Sequence, residues 1–267
     1  MRILALDSSG LVASVAVAEA EGEEEQLIAE YTVNYAQRLS CDGSACKADG
    51  MRPLKGKKTH SQTLLPMLDE LVRMSEFRME SVDAIAVASG PGSFTGLRIG
   101  SATAKGLGLA LGKPVIAVPT LEGLAYNLCG TENIVCPIMD ARRGQVYTGI
   151  YEFRENELKV LEGQMAAPIE ELGQKLFGYN RKITFLGDGV PIFREALKER
   201  ILKGKDISFA PCNMNRQRAA SIAALGLLYY REGRFETAAE HKPEYLRLPQ
   251  AERERKERME GESGKNQ

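Results

Sequence analysis

Four short segments hold the residue types with which this chain could position a phosphate or a metal ion. Asp7-Ser8-Ser9-Gly10 closes an alternating apolar run, and Asp140-Ala141-Arg142-Arg143-Gly144 closes a second one. Ser89-Gly90-Pro91-Gly92-Ser93-Phe94-Thr95-Gly96-Leu97-Arg98-Ile99-Gly100 separates an apolar run from a periodic one, and Gly187-Asp188-Gly189 follows another apolar run. A carboxylate at a strand end beside a glycine loop that opens a helix is the equipment of phosphoryl transfer. Asp7, Ser8, Ser9, Gly90, Gly92, Ser93, Thr95, Gly96, Gly187 and Gly189 are therefore the candidates for a degenerate nucleotide or phosphate loop. The spacing argues for restraint. There is no Lys-Ser/Thr pair of a P-loop, and Gly90, Gly92 and Gly96 are one residue too widely spaced for the dinucleotide fingerprint. A capped tight turn accounts for the loop as well, and an aspartate at a hairpin corner commonly caps its own backbone.

Metal-dependent chemistry finds less support. A zinc centre needs about three or four clustered ligands, as in His-Glu-x-x-His. The chain has two histidines, His60 and His241, far apart in sequence. His60 stands between Thr59 and Ser61 with no recognisable nucleophile, as a helix-start residue would. Cys41 and Cys46 read as loop thiols, because four ligands cannot be gathered around them locally. Cys129, Cys136 and Cys212 sit among core-like residues, and five cysteines in all suit reduced thiols better than a disulfide framework. No metal site and no required cofactor are expected.

Composition bounds the rest. The 267 residues carry 35 Lys plus Arg against 36 Asp plus Glu, a net charge of −1, with 43% apolar residues. That allows one sizeable core or two small ones, and nothing in the overall charge draws the chain to nucleic acid. Any RNA contact is expected to come mostly through a partner. The amino-terminal run is too soon interrupted by Asp7 for a signal peptide, and no run is long enough to span a membrane, so a cytoplasmic location is expected.

The elements that must position these residues repeat. Period-two runs at 3–6, 13–18 and 27–33 predict three strands, followed by a helix over 61–75, a strand over 83–88 and a helix over 95–111. The second half offers strands at 134–139, 146–153 and 158–161, a helix over 170–177, a strand at 183–186 and a helix over 191–201. The order βββαβα occurs twice. It predicts an α/β fold of two ribonuclease-H-like halves, the actin/Hsp70-like (ASKHA) architecture, with a last helix over 218–230 packing back on the scaffold. The division expected is 1–112 for the first subdomain, 113–232 for the second and 233–267 for a carboxy-terminal extension. Residues 36–57 lose all period and read as a loop insertion; the run after Gln250 is too charged to bury a face.

Asp7-Ser8-Ser9, His60-Ser61-Gln62-x-Leu64-Leu65-Pro66, the loop from Gly90 to Gly100, Gly187-Asp188-Gly189 and Pro243-Glu244-Tyr245-Leu246-Arg247-x-x-x-Ala251-Glu252 together resemble the TsaB (YeaZ) family, with the 36–57 insertion outside the likeness. The resemblance implies a Gcp-like, non-catalytic subunit in the formation of threonylcarbamoyladenosine (t6A) in tRNA. It implies a heterodimer with the paralogue TsaD, which transfers threonylcarbamoyl to an anticodon-loop adenosine. It also implies the ATPase TsaE, a separate threonylcarbamoyl-adenylate synthase and contact with tRNA through the complex; apart from the resemblance, exposed small-residue and Leu/Met surface would allow either a homodimer or a monomer when the chain is alone. A nucleotide would then be adventitious or held at an interface.

Two helices bear on that expectation from the residues alone. The first carries more apolar residues than one core consumes: Leu64, Leu65, Met67 and Leu68, with Leu71, Val72 and Met74 beyond them. The second has two lines of small residues, Gly100, Ala104 and Gly108, and Ala102, Gly106 and Ala110. Glycine inside a helix costs about 1 kcal/mol against alanine, so a close neighbour is needed to compensate. That neighbour is either the chain's own sheet or a partner helix. The interface expected is Leu64, Leu65, Met67, Leu68, Gly100, Ala104 and Gly108. The competing classes are a nucleotide-dependent phosphotransferase or ATPase and a metal-dependent, glycoprotease-like enzyme.

Overall fold

A computed structural model describes residues 1–34 and 59–247. The 36–57 insertion with Cys41 and Cys46, and the charged run after Gln250 with Ala251 and Glu252, lie outside the described residues.

The first half runs β1 (Arg2–Asp7), β2 (Val12–Glu21), β3 (Glu24–Asn34), α1 (His60–Ser75), β4 (Ala84–Gly90), α2 (Phe94–Leu111), β5 (Val115–Pro119) and α3 (Thr120–Tyr126). The second runs β6 (Ile134–Asp140), β7 (Gln145–Arg154), β8 (Glu157–Pro168), α4 (Ile169–Phe177), β9 (Ile183–Leu186), α5 (Val190–Ala196), β10 (Ile207–Phe209) and α6 (Ala219–Arg231). α5 widens into a π-helical turn over Leu197–Ile201. The two sheets have the orders β3-β2-β1-β4-β5 and β8-β7-β6-β9-β10. In each, the first three strands are antiparallel and the last two join the first in parallel. Each half is thus a complete ribonuclease-H-like unit.

The expected elements are present, and three more complete them. β5, α3 and β10 are absent from the sequence reading. Because β5 pairs with β4, the first sheet extends past residue 112, where the first subdomain was expected to end. Residues 236–247 also deviate from a separate extension. Glu236 bridges to Val115 through paired backbone hydrogen bonds, and Ala238 is buried in the first half's core.

The first sheet is covered on both faces, which is why β1 and β4 are continuously apolar. Leu4, Leu6, Val15, Val17, Ile85 and Val87 face α1 and α2, whereas Ile3, Ala5, Ala16, Ala86 and Ile116 face α6. The α6 side is lined with alanine, and α6 turns Gly226 toward Ala86 and Ile3, so helix and sheet approach closely. α6 closes the second half in sequence yet packs on the first sheet, which joins the two halves. Burying each leucine of this core contributes on the order of 1.5–3 kcal/mol.

Local signals start the two helices that matter most. Thr59 and Gln62 form a capping box in which the Thr59 amide donates to Gln62 Oε1 at 3.1 Å, placing His60 at the helix start as expected. α2 begins at Ser93, whose Oγ accepts from the Gly96 amide, and ends at Gly112 with a left-handed φ of 64°.

Candidate functional site

The hairpin corner between β1 and β2 is buried against the glycine loop. Asp7 Oδ1 accepts from the Ser9 amide at 2.9 Å and the Ser9 hydroxyl at 2.7 Å, the local capping expected of a corner aspartate. Burial pushes the Asp7 carboxyl up to about 6, against the lowering effect of the two Ser9 bonds. His60 Nε2 lies 2.9 Å from the Gly10 carbonyl, which can only accept, so Nε2 carries the proton. α1 is thereby tied to the same corner.

Three amides of the loop are engaged within the chain. Ser93 N donates to the Ser9 carbonyl at 2.7 Å, Gly96 N to Ser93 Oγ at 3.3 Å and Gly90 N to Thr120 Oγ1 at 3.0 Å. Ser8 Oγ donates to the Gly96 carbonyl at 2.9 Å. A Cβ at Gly92 would collide with the Ser9 carbonyl, and one at Gly96 with the Ser8 carbonyl. The glycines admit the hairpin backbone where a phosphate would otherwise lie. Of the candidate loop residues only Ser93 and Thr95 are exposed, at the first turn of α2.

The equivalent corner in the second half is built alike. Asp140 Oδ1 accepts from the Arg142 amide at 2.8 Å, and Asp188 Oδ1 accepts from the Asp140 amide at 3.0 Å. Burial raises the Asp188 carboxyl above its ordinary value, partly offset by that backbone bond. Gly187 N donates to the Asn215 carbonyl and Gly189 N to the Ile138 carbonyl, each at 3.0 Å. Both halves therefore use their carboxylates and glycines to join strand ends.

Among the described residues, no group of three or more His, Cys, Asp or Glu is placed to hold a metal ion. His241 is buried with Nδ1 2.7 Å from Glu236 Oε1, in a different setting from His60. Of the cysteines expected in the core, Cys136 is there, its thiol pushed up to about 12 by burial. Cys129 and Cys212 are exposed, because each falls in a turn just beyond α3 or β10. No helix among the described residues is long and apolar enough to cross a membrane.

The expected interface divides into two sets. Leu64, Met67 and Leu68 are buried in the core beneath α1. Ala104 is in the same core, Gly100 faces Ser8 and Val87, and Gly108 lies against Ala238 and Val115. These six are corrected to internal packing: the stripe that permits close approach faces the chain's own sheet and carboxy-terminal segment. Leu65 is 53% exposed, and Met74 and Leu109 are 69% and 67% exposed. Ala102, Gly106 and Ala110 are exposed on α2, and nothing lies within 4 Å of where a Gly106 Cβ would be. α1 and α2 pack side by side, so Leu65, Leu109 and the Ala102-Gly106-Ala110 line lie on exposed surface of one helix pair, whereas Met74 is on the opposite flank of α1 and lines a cavity with Ile28 and Tyr31 of β3.

The sequence reading missed how the carboxy-terminal segment closes the site. Lys105 Nζ donates to the carbonyls of Ala239 and His241, Glu244 N donates to the Ser89 carbonyl at 2.7 Å, and a Gly90 Cβ would collide with the Glu244 carbonyl. Tyr245 meets Phe94 with ring centroids 4.9 Å apart. Arg247 Nη1 then donates to the Ala141 carbonyl at 3.0 Å, linking the strap to the second hairpin corner. Only the motif from Pro243 to Arg247 marked these residues in the sequence.

Two ribonuclease-H-like halves, joined by a last helix that returns to the first sheet, define the actin/Hsp70-like class. A family model described as TsaD, tRNA N6-adenosine threonylcarbamoyltransferase, matches residues 39–255. The TsaB of Bacillus subtilis, a tRNA threonylcarbamoyladenosine biosynthesis protein, is 30% identical over 254 residues, covering 94% of this chain and 96% of its own. The TsaB of Haemophilus influenzae is 30% identical over 207 residues, covering 72% and 81%. The solved structure of YeaZ from Pseudomonas aeruginosa superposes with a TM-score of 0.69 at 26% identity, covering 92% of this chain and 99% of the other. The chain belongs to the TsaB (YeaZ) family.

Proposed function

We propose that this chain is a non-catalytic subunit of tRNA threonylcarbamoyladenosine formation that pairs with a TsaD-type transferase through the outward side of α1 and α2. The observation that carries the pairing is the exposed side of that helix pair, with Leu65 and Leu109 beside the small-residue line Ala102, Gly106 and Ala110. Bare small residues let a second backbone approach closely, and the flanking apolar side chains supply area to bury. The names borne by the relatives support the pathway. The corner carboxylates and glycine loops support a role without catalysis, since their polar groups are engaged in joining the fold. In this reading TsaE and a threonylcarbamoyl-adenylate synthase act with the pair, tRNA is met in the complex, and no cofactor is needed by this chain.

The test is purification of the chain alone and with TsaD, followed by a tRNA-modification assay with TsaE and the synthase present. The chain alone is expected to be inert and to form a homodimer through the same side, and the mixture to form a heterodimer that restores modification. Turnover by the isolated chain, or a mixture that elutes as two separate proteins, overturns the reading.

A further inference from the structure

We propose that the chain itself contacts single-stranded RNA, through a surface made by Phe94, Arg98, Arg142, Arg143, Tyr245 and Arg247. The proposal rests on the role in tRNA modification above and extends it, since that role needs no RNA contact from this subunit.

The surface is continuous. The Arg98 guanidinium stands 4.8 Å over the Phe94 ring, and Phe94 meets Tyr245 at 4.9 Å. Two residues on, Arg247 donates to the Ala141 carbonyl, which brings the turn bearing Arg142 and Arg143 alongside. Three chain segments from both halves thus converge, and they bring four arginines with two carboxylates, Asp140 and Glu244. Asp140 pairs with Arg142 at 3.2 Å, and among the described residues Arg143 makes no ion pair. In a chain of net charge −1 this concentration of positive charge is local, not compositional.

The turn is unusual for its residue types. Arg142 and Arg143 have φ of 66° and 54°, a left-handed conformation that asparagine or glycine would adopt with less strain. Two arginines held there against backbone preference point to a use for their side chains. Guanidinium groups pair with phosphates and stack on bases, and an exposed aromatic gives an unpaired base a face to lie on. Tyr245 and Arg98 are both exposed. Arg98 also heads the outward row Arg98, Ala102, Gly106 and Ala110 of α2, so the surface adjoins the proposed partner face. An RNA loop held by the partner would reach it.

A fluorescein-labelled anticodon stem-loop RNA, titrated by anisotropy against the full chain and against its assembly with TsaD over a range of salt, tests this. The double variant Arg98→Ala/Arg143→Asn is expected to bind the RNA about tenfold more weakly in the assembly, with the slope of log K against log salt reduced by about 1.4, or roughly 0.7 for each lost phosphate contact. Arg143→Asn alone is expected to keep or raise the melting temperature, since asparagine suits the turn; loss of RNA binding then cannot come from unfolding. Tyr245→Leu is expected to weaken binding at least roughly fivefold with little change of slope, and Tyr245→Phe to restore it. Affinity for TsaD without RNA should be unchanged in all of them. RNA affinity and slope within about twofold of the wild type in every variant would overturn the proposal. So would variants that lose TsaD and not RNA, which would make this an acidic-protein surface. If the chain never pairs with TsaD, the functional reading fails by itself, while titration of the isolated chain still tests the surface.

Discussion

The Ser93 amide donates to the Ser9 carbonyl at 2.7 Å, so the N–H at the mouth of the glycine loop is directed to the neighbouring hairpin and not to solvent. With Gly96 N turned to Ser93 Oγ and Gly90 N to Thr120, the loop holds a hairpin corner where a phosphate-binding loop would hold an anion. Gly92→Ala and Gly96→Ala should each drive a methyl group into a carbonyl of that corner. Such overpacking costs about 1–3 kcal/mol, which at this chain length lowers the melting temperature by several degrees. ATP with magnesium should leave the wild-type midpoint where it is, because only a ligand bound to the native state raises it. A saturable upward shift with ATP would restore the nucleotide site.

Asp7 should make stability depend on pH. Its folded-state pKa is raised from 3.8 to about 6 by burial, so between those values the native state holds more of the proton than the unfolded state does. Stability from this residue is therefore greatest below the unfolded value, declines as pH rises through the window and is lost above about 6. Asp7→Asn remains uncharged throughout and keeps an oxygen to accept from Ser9. Its stability relative to wild type should grow across that window, to a ceiling of about 3 kcal/mol near neutrality if two pKa units are converted in full. Parallel melting profiles of the two proteins would show that Asp7 is not the source.

The same carboxylates test the absence of catalysis. Asp7→Asn and Asp140→Ala, assembled with TsaD, should modify tRNA within about tenfold of the wild-type rate, because both side chains cap their own turns. A loss beyond about a hundredfold with pairing intact would place them in an active centre.

What the sequence made legible follows from what periodicity records. β1 and β2 are marked by apolar runs on either side of the Asp7-Ser8-Ser9-Gly10 turn, and a capping box with an apolar stripe marks α1. β5 is a five-residue run that follows Pro114, ends at Pro119 and is covered on both faces, so it lacks alternation; α3 starts at once after it with no spacer to announce a new element. Residues 236–247 have no regular structure to show a period, and they are held by single contacts such as Ala238 on Gly108 and Glu244 on Gly90. Which small-residue line of α2 is buried was not legible for a related reason. Gly100-Ala104-Gly108 and Ala102-Gly106-Ala110 have the same spacing and lie about 200° apart around α2, and only the packed fold tells which line meets the sheet.

That distinction supplies a test on a single helix. Ala104 is fully buried among the side chains that α1 and α2 lay on the sheet, so Ala104→Leu must force them apart and should cost about 1–3 kcal/mol of stability. The fraction that stays folded should still bind TsaD normally, because the change lies on the inner side. Two residues further on, Gly106 has open space beyond it. Gly106→Leu replaces the poorest ordinary helix former in mid-helix and gains up to about 1 kcal/mol, so its melting temperature should hold or rise. Yet a branched side chain there would separate the two backbones that the bare residue lets meet, and TsaD binding should weaken at least tenfold, about 1.4 kcal/mol. Ala102→Leu, one turn earlier on the same exposed line, should behave alike. Thermal unfolding of each isolated variant and titration of each against TsaD give both quantities. If Gly106→Leu and Ala102→Leu melt normally and bind normally, the partner does not approach over this line and the proposed pairing side is wrong; if Ala104→Leu alone loses binding while melting normally, the inner and outer sides of α2 have been exchanged.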